Sequence, residues 1–443
     1  MIAIVVSRAD SASVHIGDHL LDLADWETRE DESRPDAEGG ATYYRREGFE
    51  LREFDALHLE IEETAEPFDS PDLLVFVSRH SGNTGPLLTA HFTGNFGPAE
   101  FGGTDGGLAE TCPNAHDRLL DAFAEHAPEG YEVGTECTHH GPSEVGVPSL
   151  FAELGSDEAQ WDDPEGARAV ARAVLDLEGV EPHRERQIAG FGGGHYAPRF
   201  TRILSETDWA VGHVAADWCL DAMGAPEENR DVIRRAFEAS RAERAVVDGD
   251  RPELESVIED LGYRVVSETW VRETTGRPLE LVERLEADLS PVGEGLRFGE
   301  RAADTETDGD YELVSLPGDL LAEAQGIDPE TTREAVEARA VAFETEQSGT
   351  RTAGRVAVSD SEDREALVES LVDVLAEKYD SVAREDGAVV ARETTFDAEK
   401  ARKLGVREGP AFGKLSAGES VAVDGEEIPP EAVRSERVRR FSE

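Results

Sequence analysis

Short unbroken apolar runs alternate with amphipathic stretches over roughly the first 285 residues. IAIVV at the start and LLVFVS at 73–78 show no polar alternation, the pattern of strands buried on both faces. PLLTAHFTG, YEVGTECT at 131–138, the opening of ERQIAGFGGGHYAPRF and WAVGHVAA read as further strands. Between them, NAHDRLLDAFAEHA at 114–127, DPEGARAVARAVLDLEG and ENRDVIRRAFEASRAE have helical spacing, and LESVIEDLGYRVVSE reads as a helix followed by a strand. The second of these helices starts with acids and stops at glycine, as helix ends do. The alternation predicts an α/β fold: a mixed or largely parallel sheet with helices on both faces.

Periodicity fades over 286–310, EADLSPVGEGLRFGERAADTETDGD, which reads as an acidic linker. A smaller α+β extension follows at 311–443. Helices are predicted in ETTREAVEARAVAFE and REALVESLVDVLAEKYDSV, a strand in GAVVARET, and a hairpin turn at Asp424-Gly425. This extension is expected to be a stability or RNA-contact module.

Charge changes the picture of where the protein works. There are 97 acidic and 43 basic residues, a formal net charge of −54. The lysines, Lys378, Lys400, Lys403 and Lys414, all lie in the second unit. The acids run through segments with good apolar periodicity, so the chain is read as folded rather than disordered. A dense carboxylate surface suits a very salty cytoplasm, where the Debye length falls to about 3 Å at 1 M salt. Acidity therefore reports the milieu and not the ligand. Three cysteines, Cys112, Cys137 and Cys219, form no CxxC pair, which argues against a disulfide scaffold and a cysteine-rich zinc finger. The N-terminus lacks a basic flank for a signal peptide, and no apolar run approaches the about 18 residues of a membrane helix. A cytoplasmic protein without membrane or DNA partners is expected.

The chemistry sits in the histidines. His80 (SRHSGNTG), His91 (TAHFTGNFG), His139 and His140 (THHGPSEVG), His195 (GGGHYAPRF) and His213 (AVGHVAA) lie in loops or strand ends of the first unit. Strand ends of an α/β sheet converge on one crevice, so these residues can meet. His15, His19, His58, His116, His126 and His183 lie in helical or polar segments and read as surface residues. Zinc is the metal that such ligands suggest, held by three protein groups. His213, in an apolar strand, reads almost equally as a buried structural residue. On a regular strand His139 and His140 would point oppositely, which would leave one for metal or substrate and one to orient a neighbour. Glu144 could ligate, act as general base or hold a histidine tautomer. Ser143 in GPSEVG is one residue out of register for a nucleophile elbow. The glycines of GFGGGHYAPRF match neither a P-loop nor GxGxxG, but they let backbone amides approach a ligand.

Four of these motifs, SRHSGNTGPLLTAHFTGNFG, THHGPSEVGVPSLFAELGS, GFGGGHYAPRFT and WAVGHVAADW, resemble in order the archaeal and plant-type D-aminoacyl-tRNA deacylases over about residues 1–285. The resemblance implies a monomeric zinc-dependent hydrolase with a two-part core of mixed or parallel sheet and two zinc ions per chain. It would cleave the ester of D-aminoacyl-tRNA with broad D-amino-acid specificity, releasing the amino acid and tRNA. It maps the family's histidines onto His80, His91, His139, His140, His195 and His213. The expected division is His80, His91, His139 and His213 for metal, and His140, His195 and Glu144 for catalysis. Arg79, Ser81, Asn83, Gly192, Gly193, Gly194, Tyr196 and Arg199 are expected to bind substrate, with Arg202 as a further tRNA contact. The competing readings are a metal-dependent hydrolase of small esters or amides and a non-catalytic tRNA- or nucleotide-binding protein. The segment GPAFGKLSAGESVAVDGEEIPPEAV is similar to a short stretch of the ribonuclease Z family.

Overall fold

A computed structural model describes residues 1–305, 309–385 and 387–442. The chain forms two compact units, Met1–Thr275 and Gly276–Glu443. The division precedes helix Leu279–Asp288, which the sequence pattern split between the first unit, to 285, and the linker from 286.

The first unit contains two sheets. Strands β1 (Ile2–Ser7), β2 (Glu27–Asp31), β3 (Ala41–Arg46), β4 (Phe49–Phe54), β5 (Leu73–Arg79), β6 (Leu87–His91), β7 (Glu132–Thr135) and β8 (Ser149–Gly155) form an eight-stranded sheet in the order β2-β3-β4-β1-β5-β8-β6-β7. Its centre is parallel from β4 through β1 and β5 to β8, and β6 runs antiparallel beside β8. Every residue of β1 and β8 is buried, as their apolar runs require. Strands β9 (Gln187–Gly192), β10 (Ala210–Ala215), β11 (Arg244–Asp248) and β12 (Arg264–Val266) form a parallel sheet in the order β10-β9-β11-β12. Helix Pro113–His126 packs on both β6 and β10 and so joins the two sheets. The mixed α/β class is as expected. The meander β2-β3-β4 was not legible, because ETRED and ATYYRR hold few apolar residues and lie on the exposed to half-buried rim.

Register decides what the first sheet presents. Phe76 pairs with Phe151 and Ser78 with Glu153 across β5 and β8. His91 pairs with Phe151 and Thr89 with Glu153 across β6 and β8. Cross-strand neighbours share a face, so one face carries Phe76, Phe151 and His91 beside Ser78, Glu153 and Thr89. The rings of Phe76 and Phe151 stack at 4.7 Å, and those of His91 and Phe151 at 5.0 Å.

Over this face runs the loop that leaves β7. Its backbone is pinned on both sides. The N–H of Glu136 donates to Ala90 O (3.1 Å), that of Cys137 to His195 O (2.8 Å) and that of Thr138 to Val214 O (2.8 Å). Farther along, Gly94 N–H donates to His140 O (2.7 Å) and Gly141 N–H to Phe101 O (3.0 Å).

In the second unit, strands β13 (Leu296–Phe298), β14 (Glu312–Ser315), β15 (Ala340–Glu346) and β16 (Arg351–Val358) make an antiparallel sheet in the order β13-β15-β16-β14. Strands β17 (Ser381–Glu385), β18 (Ala388–Phe396) and β21 (Arg434–Ser442) make another, and β19 (Val421–Val423) with β20 (Glu426–Ile428) a hairpin. The segment 286–310 is therefore not simply a linker. Leu296 and Phe298 of β13 are buried, as is Val292 before them. Residues 306–308 of that segment lie outside the described residues. The helix predicted over ETTREAVEARAVAFE ends at Glu337, and Ala340–Phe343 begin β15. All four are buried, so that run needs cover on both faces, which a strand provides. Asp424 and Gly425 take φ of 49° and 92°, the left-handed pair that the expected tight hairpin needs.

Gly141 sets how closely the site loop can pack. A Cβ there would lie 2.4 Å from Gly102 C and Gly103 N, which are backbone atoms that cannot swing aside. Gly141→Ala is expected to cost about 1–3 kcal/mol, read from denaturant unfolding in molar KCl.

Candidate active site

His91, His139 and His140 converge. Their rings lie 4.4–4.7 Å apart, centre to centre. Each spends Nδ1–H on a backbone carbonyl: His91 on Phe92 O (3.0 Å), His139 on Cys137 O (2.8 Å) and His140 on Gly141 O (2.9 Å). That choice leaves each Nε2 with a lone pair. One donor atom from each of the three lies within 4.8 Å of the others. His91 Nε2 is buried without a hydrogen-bond partner and faces Glu153 Oε1 at 3.6 Å. A proton on Nε2, which burial opposes and the Glu153 carboxylate favours, or a bound cation satisfies such a pair. Burial, then the neighbouring His140 and His91, hold His139 well below the usual histidine range. Burial and then His91 lower His140 to about 4. Both rings are thus neutral lone-pair donors at neutral pH, the form that binds zinc. The loop is irregular, so the alternation expected of a strand does not separate His139 from His140.

Two carboxylates lie beneath. Glu136 is 2% exposed and Glu153 3%. Glu136 Oε2 accepts from His195 Nε2 at 2.7 Å, and Glu153 Oε1 from Ser78 Oγ at 2.7 Å. His80 Nδ1 stands 3.2 Å from Glu136 Oε1 and 3.6 Å from Glu153 Oε2. Burial opposes charge on all three groups. The mutual attraction wins, raising His80 to about 10 and holding both carboxyls below their usual range. His80 Nε2 lies 3.3 Å from the Tyr196 hydroxyl. Neither glutamate was singled out in the sequence. A charged residue in the otherwise apolar SLFAELG was the available signal for Glu153. Two further groups have ligand geometry: Cys137 with His139 and His195, and His80 with Glu136 and Glu153. Cys137 Sγ lies 3.4 Å from His195 Nδ1, and the adjacent Cys219 and burial keep its thiol protonated. A cavity of about 450 Å³ opens onto the cluster, with His80, His139, His140, His195 and Glu153 in its wall.

A family model described as D-aminoacyl-tRNA deacylase matches residues 67–266, a stretch that contains the whole cluster. A D-aminoacyl-tRNA deacylase of Natronomonas pharaonis is 59% identical, with all of this chain and all of that one covered. One of Halorubrum lacusprofundi is 57% identical over all of this chain and 96% of its own length. The chain belongs to the D-aminoacyl-tRNA deacylase family. It is thereby a hydrolase of haloarchaeal type, in keeping with its acidity. A crystal structure of a conserved protein of unknown function, 30% identical, superposes with a TM-score of 0.56 over 62% of this chain and 98% of its own. The similarity to the haloarchaeal members runs through the second unit as well.

The structure does not bring every family-implied residue to the cluster. His213 is fully buried in β10, where Nδ1 accepts from Thr138 Oγ1 (2.9 Å) and Nε2–H donates to Ala109 O (2.8 Å). Both ring nitrogens are used, so it anchors the site loop and cannot ligate. Glu144 is exposed and held only by its backbone, whose N–H donates to Glu62 Oε2 at 2.7 Å. The Ser143 hydroxyl is committed to Gly107 O and Thr104 N–H. Arg79 and Ser81 line the cavity, while Asn83 is exposed outside its wall. Gly193 N–H already donates to Asp217 Oδ1 (2.8 Å), and none of Gly192, Gly193 and Gly194 is in the cavity wall. Arg199 pairs with Asp248 and Glu268, and Arg202 makes a two-pronged bridge to Glu268 at 2.9 and 2.7 Å. His58 and His116, expected at the surface, are buried. His116 falls on the apolar stripe with Leu119, Leu120 and Phe123, a signal present in the sequence. No helix among the described residues is long and apolar enough to cross a membrane.

His213→Phe leaves Thr138 Oγ1 and Ala109 O unpaired. It is expected to lower stability by about 2–5 kcal/mol and to leave uptake of added zinc as in the parent. His91→Ala is expected to take up less added zinc than the parent. Metal analysis and denaturant unfolding of the two variants check the assignment.

Proposed function

We propose that this chain is a zinc enzyme of the cytoplasm that hydrolyses the ester between a D-amino acid and the terminal ribose of tRNA, tolerating many side chains. The observation that carries the metal reading is the trio His91, His139 and His140, each with Nδ1 committed to a carbonyl and Nε2 left as donor. The unpartnered His91 Nε2 fits a cation there. Of the two ions that the resemblance implies, the trio accounts for one; His80, Glu136 and Glu153 also lie within ligand distance of one another, but His80 turns Nδ1 to both carboxylates and is assigned here to proton transfer. Held by the trio, zinc would supply Lewis acidity to the ester and to the attacking water.

The chain's own residues handle the protons. With Nε2–H given to Glu136, His195 has its lone pair on Nδ1, where the weakly donating Cys137 thiol at 3.4 Å leaves it able to take a proton from water. Glu136 fixes that tautomer, as a carboxylate behind a histidine does. His80, with two carboxylates at Nδ1, presents Nε2–H at the cavity wall beside Tyr196, placed to protonate the leaving ribose oxygen. His140 thus moves from the expected acid to the metal set, and His80 the other way. Breadth of side chain is supported by the cavity of about 450 Å³, with Leu57, Leu59 and Phe151 in its wall.

Deacylation of D-Tyr-tRNA and L-Tyr-tRNA in molar KCl, with and without chelator, tests the reading. The D-ester is expected to be cleaved, the L-ester spared, and activity lost to chelator and restored by zinc. D-Tyr-tRNA left intact by zinc-loaded protein would sink the proposal. Equal turnover of a free D-tyrosine ester would instead favour a small-ester hydrolase. His80→Ala is expected to lower kcat by about 10²–10⁴-fold with zinc retained.

A further inference from the structure

Among the described residues, the large aromatic side chains that stand exposed are Phe101 (60%), Trp218 (48%) and Tyr196 (38%). All three gather at one place. Phe101 lines the catalytic cavity together with His140 and His195. The Tyr196 ring lies edge-on to His195 at 4.9 Å and to His80 at 5.7 Å. The Trp218 ring lies nearly parallel to His195, 6.4 Å away and tilted by 25°.

Each ring is held there by structure. Phe101 O accepts from Gly141 N–H at 3.0 Å, which ties its loop to the histidine loop. Trp218 follows Asp217, whose Oδ1 accepts from Gly193 N–H (2.8 Å) and Arg251 Nη2 (2.7 Å). Cys219, next in the chain, packs against Cys137 at 4.0 Å between the sulfurs. An aromatic face left in water beside a reaction cavity, when the core could have taken it, marks a surface for a flat apolar ligand.

Charge narrows the kind of ligand contact. A chain of net charge −54 repels a polyanion. Arg199 and Arg202, the arginines nearest in sequence to Tyr196, are already paired with Asp248 and Glu268. In molar salt, phosphate contacts lose most of their counterion-release advantage, whereas base stacking persists. Unpaired nucleobases are the part of an RNA that aromatic side chains recognise.

We propose that Phe101, Trp218 and Tyr196 form a stacking subsite for the unpaired bases at the 3′ end of tRNA, which seats the terminal ribose ester over the histidine cluster. The identity of the polymer rests on the function proposed above. Binding tests the subsite without turnover. Uncharged tRNA, intact or lacking its 3′-terminal nucleotide, is titrated into the full-length protein in molar KCl. The parent is expected to bind the intact tRNA about tenfold or more tightly. Phe101→Ala and Trp218→Ala should each lose about that factor on intact tRNA and little on the shortened one. Phe101→Tyr and Trp218→Phe should recover most of it, which separates stacking from a folding defect. Equal affinity of the parent for the two tRNAs, or equal losses on both in the alanine variants, overturns the subsite. If the parent distinguishes the tRNA ends but leaves D-Tyr-tRNA intact, the deacylation reading fails and the stacking subsite stands. If it deacylates but does not distinguish them, only the subsite fails.

Discussion

Two carboxylates buried side by side are the constraint around which the site is built. Glu136 and Glu153 have almost no contact with water. An ionised carboxylate taken out of water loses many kcal/mol of solvation unless cations and hydrogen bonds replace it. His80 answers both glutamates, His195 answers Glu136, and Ser78 answers Glu153. Remove the acids and the histidines lose their orientation. Remove the histidines and the acids are stranded in the sheet. The clustered histidines and the local stability of the core are therefore one network.

The same network explains why so much backbone is spent on a short loop. Three imidazoles within 5 Å of one another repel if protonated, so their protons must be directed outward. Carbonyls of Phe92, Cys137 and Gly141 do this by accepting each Nδ1–H. Those carbonyls are well placed only because the loop is pinned between β6 on one side and the β9 and β10 strand ends on the other. His213 belongs to this scaffolding. It holds Thr138 and Ala109, and so serves the site without touching it.

The acidic surface is a separate adaptation with a consequence for recognition. Many arginines of the first unit are consumed in ion pairs with neighbouring carboxylates, Arg199 and Arg202 among them. Attraction to tRNA phosphate is correspondingly weak, and chemistry that does not depend on charge has to contribute. Exposed aromatic rings able to supply such chemistry stand at the histidine cluster, Phe101 in the cavity wall and Tyr196 and Trp218 beside His195.

Much of the architecture was legible in the residues. Unbroken apolar runs identified β1, β5 and β10, helical spacing identified the joining helix at 113–126, and Asp424-Gly425 marked its hairpin, because each signal is local. The histidine loops at 80, 91, 139–140 and 195 also stood out. Where sequence reading failed, the deciding contact was remote. AVAF after Glu337 is a strand because other strands cover it, and β13 is ordered by pairing with β15. Glu136 and Glu153 were hidden among 97 acids, and only burial sets them apart. His213 and His91 look alike in sequence, each in or at the end of an apolar strand. The sequence by itself determined the α/β class, the salty milieu and which loops carry imidazoles. Tertiary structure alone decided which imidazoles keep a free nitrogen, because that depends on where carbonyls and hydroxyls from distant strands fall around each ring.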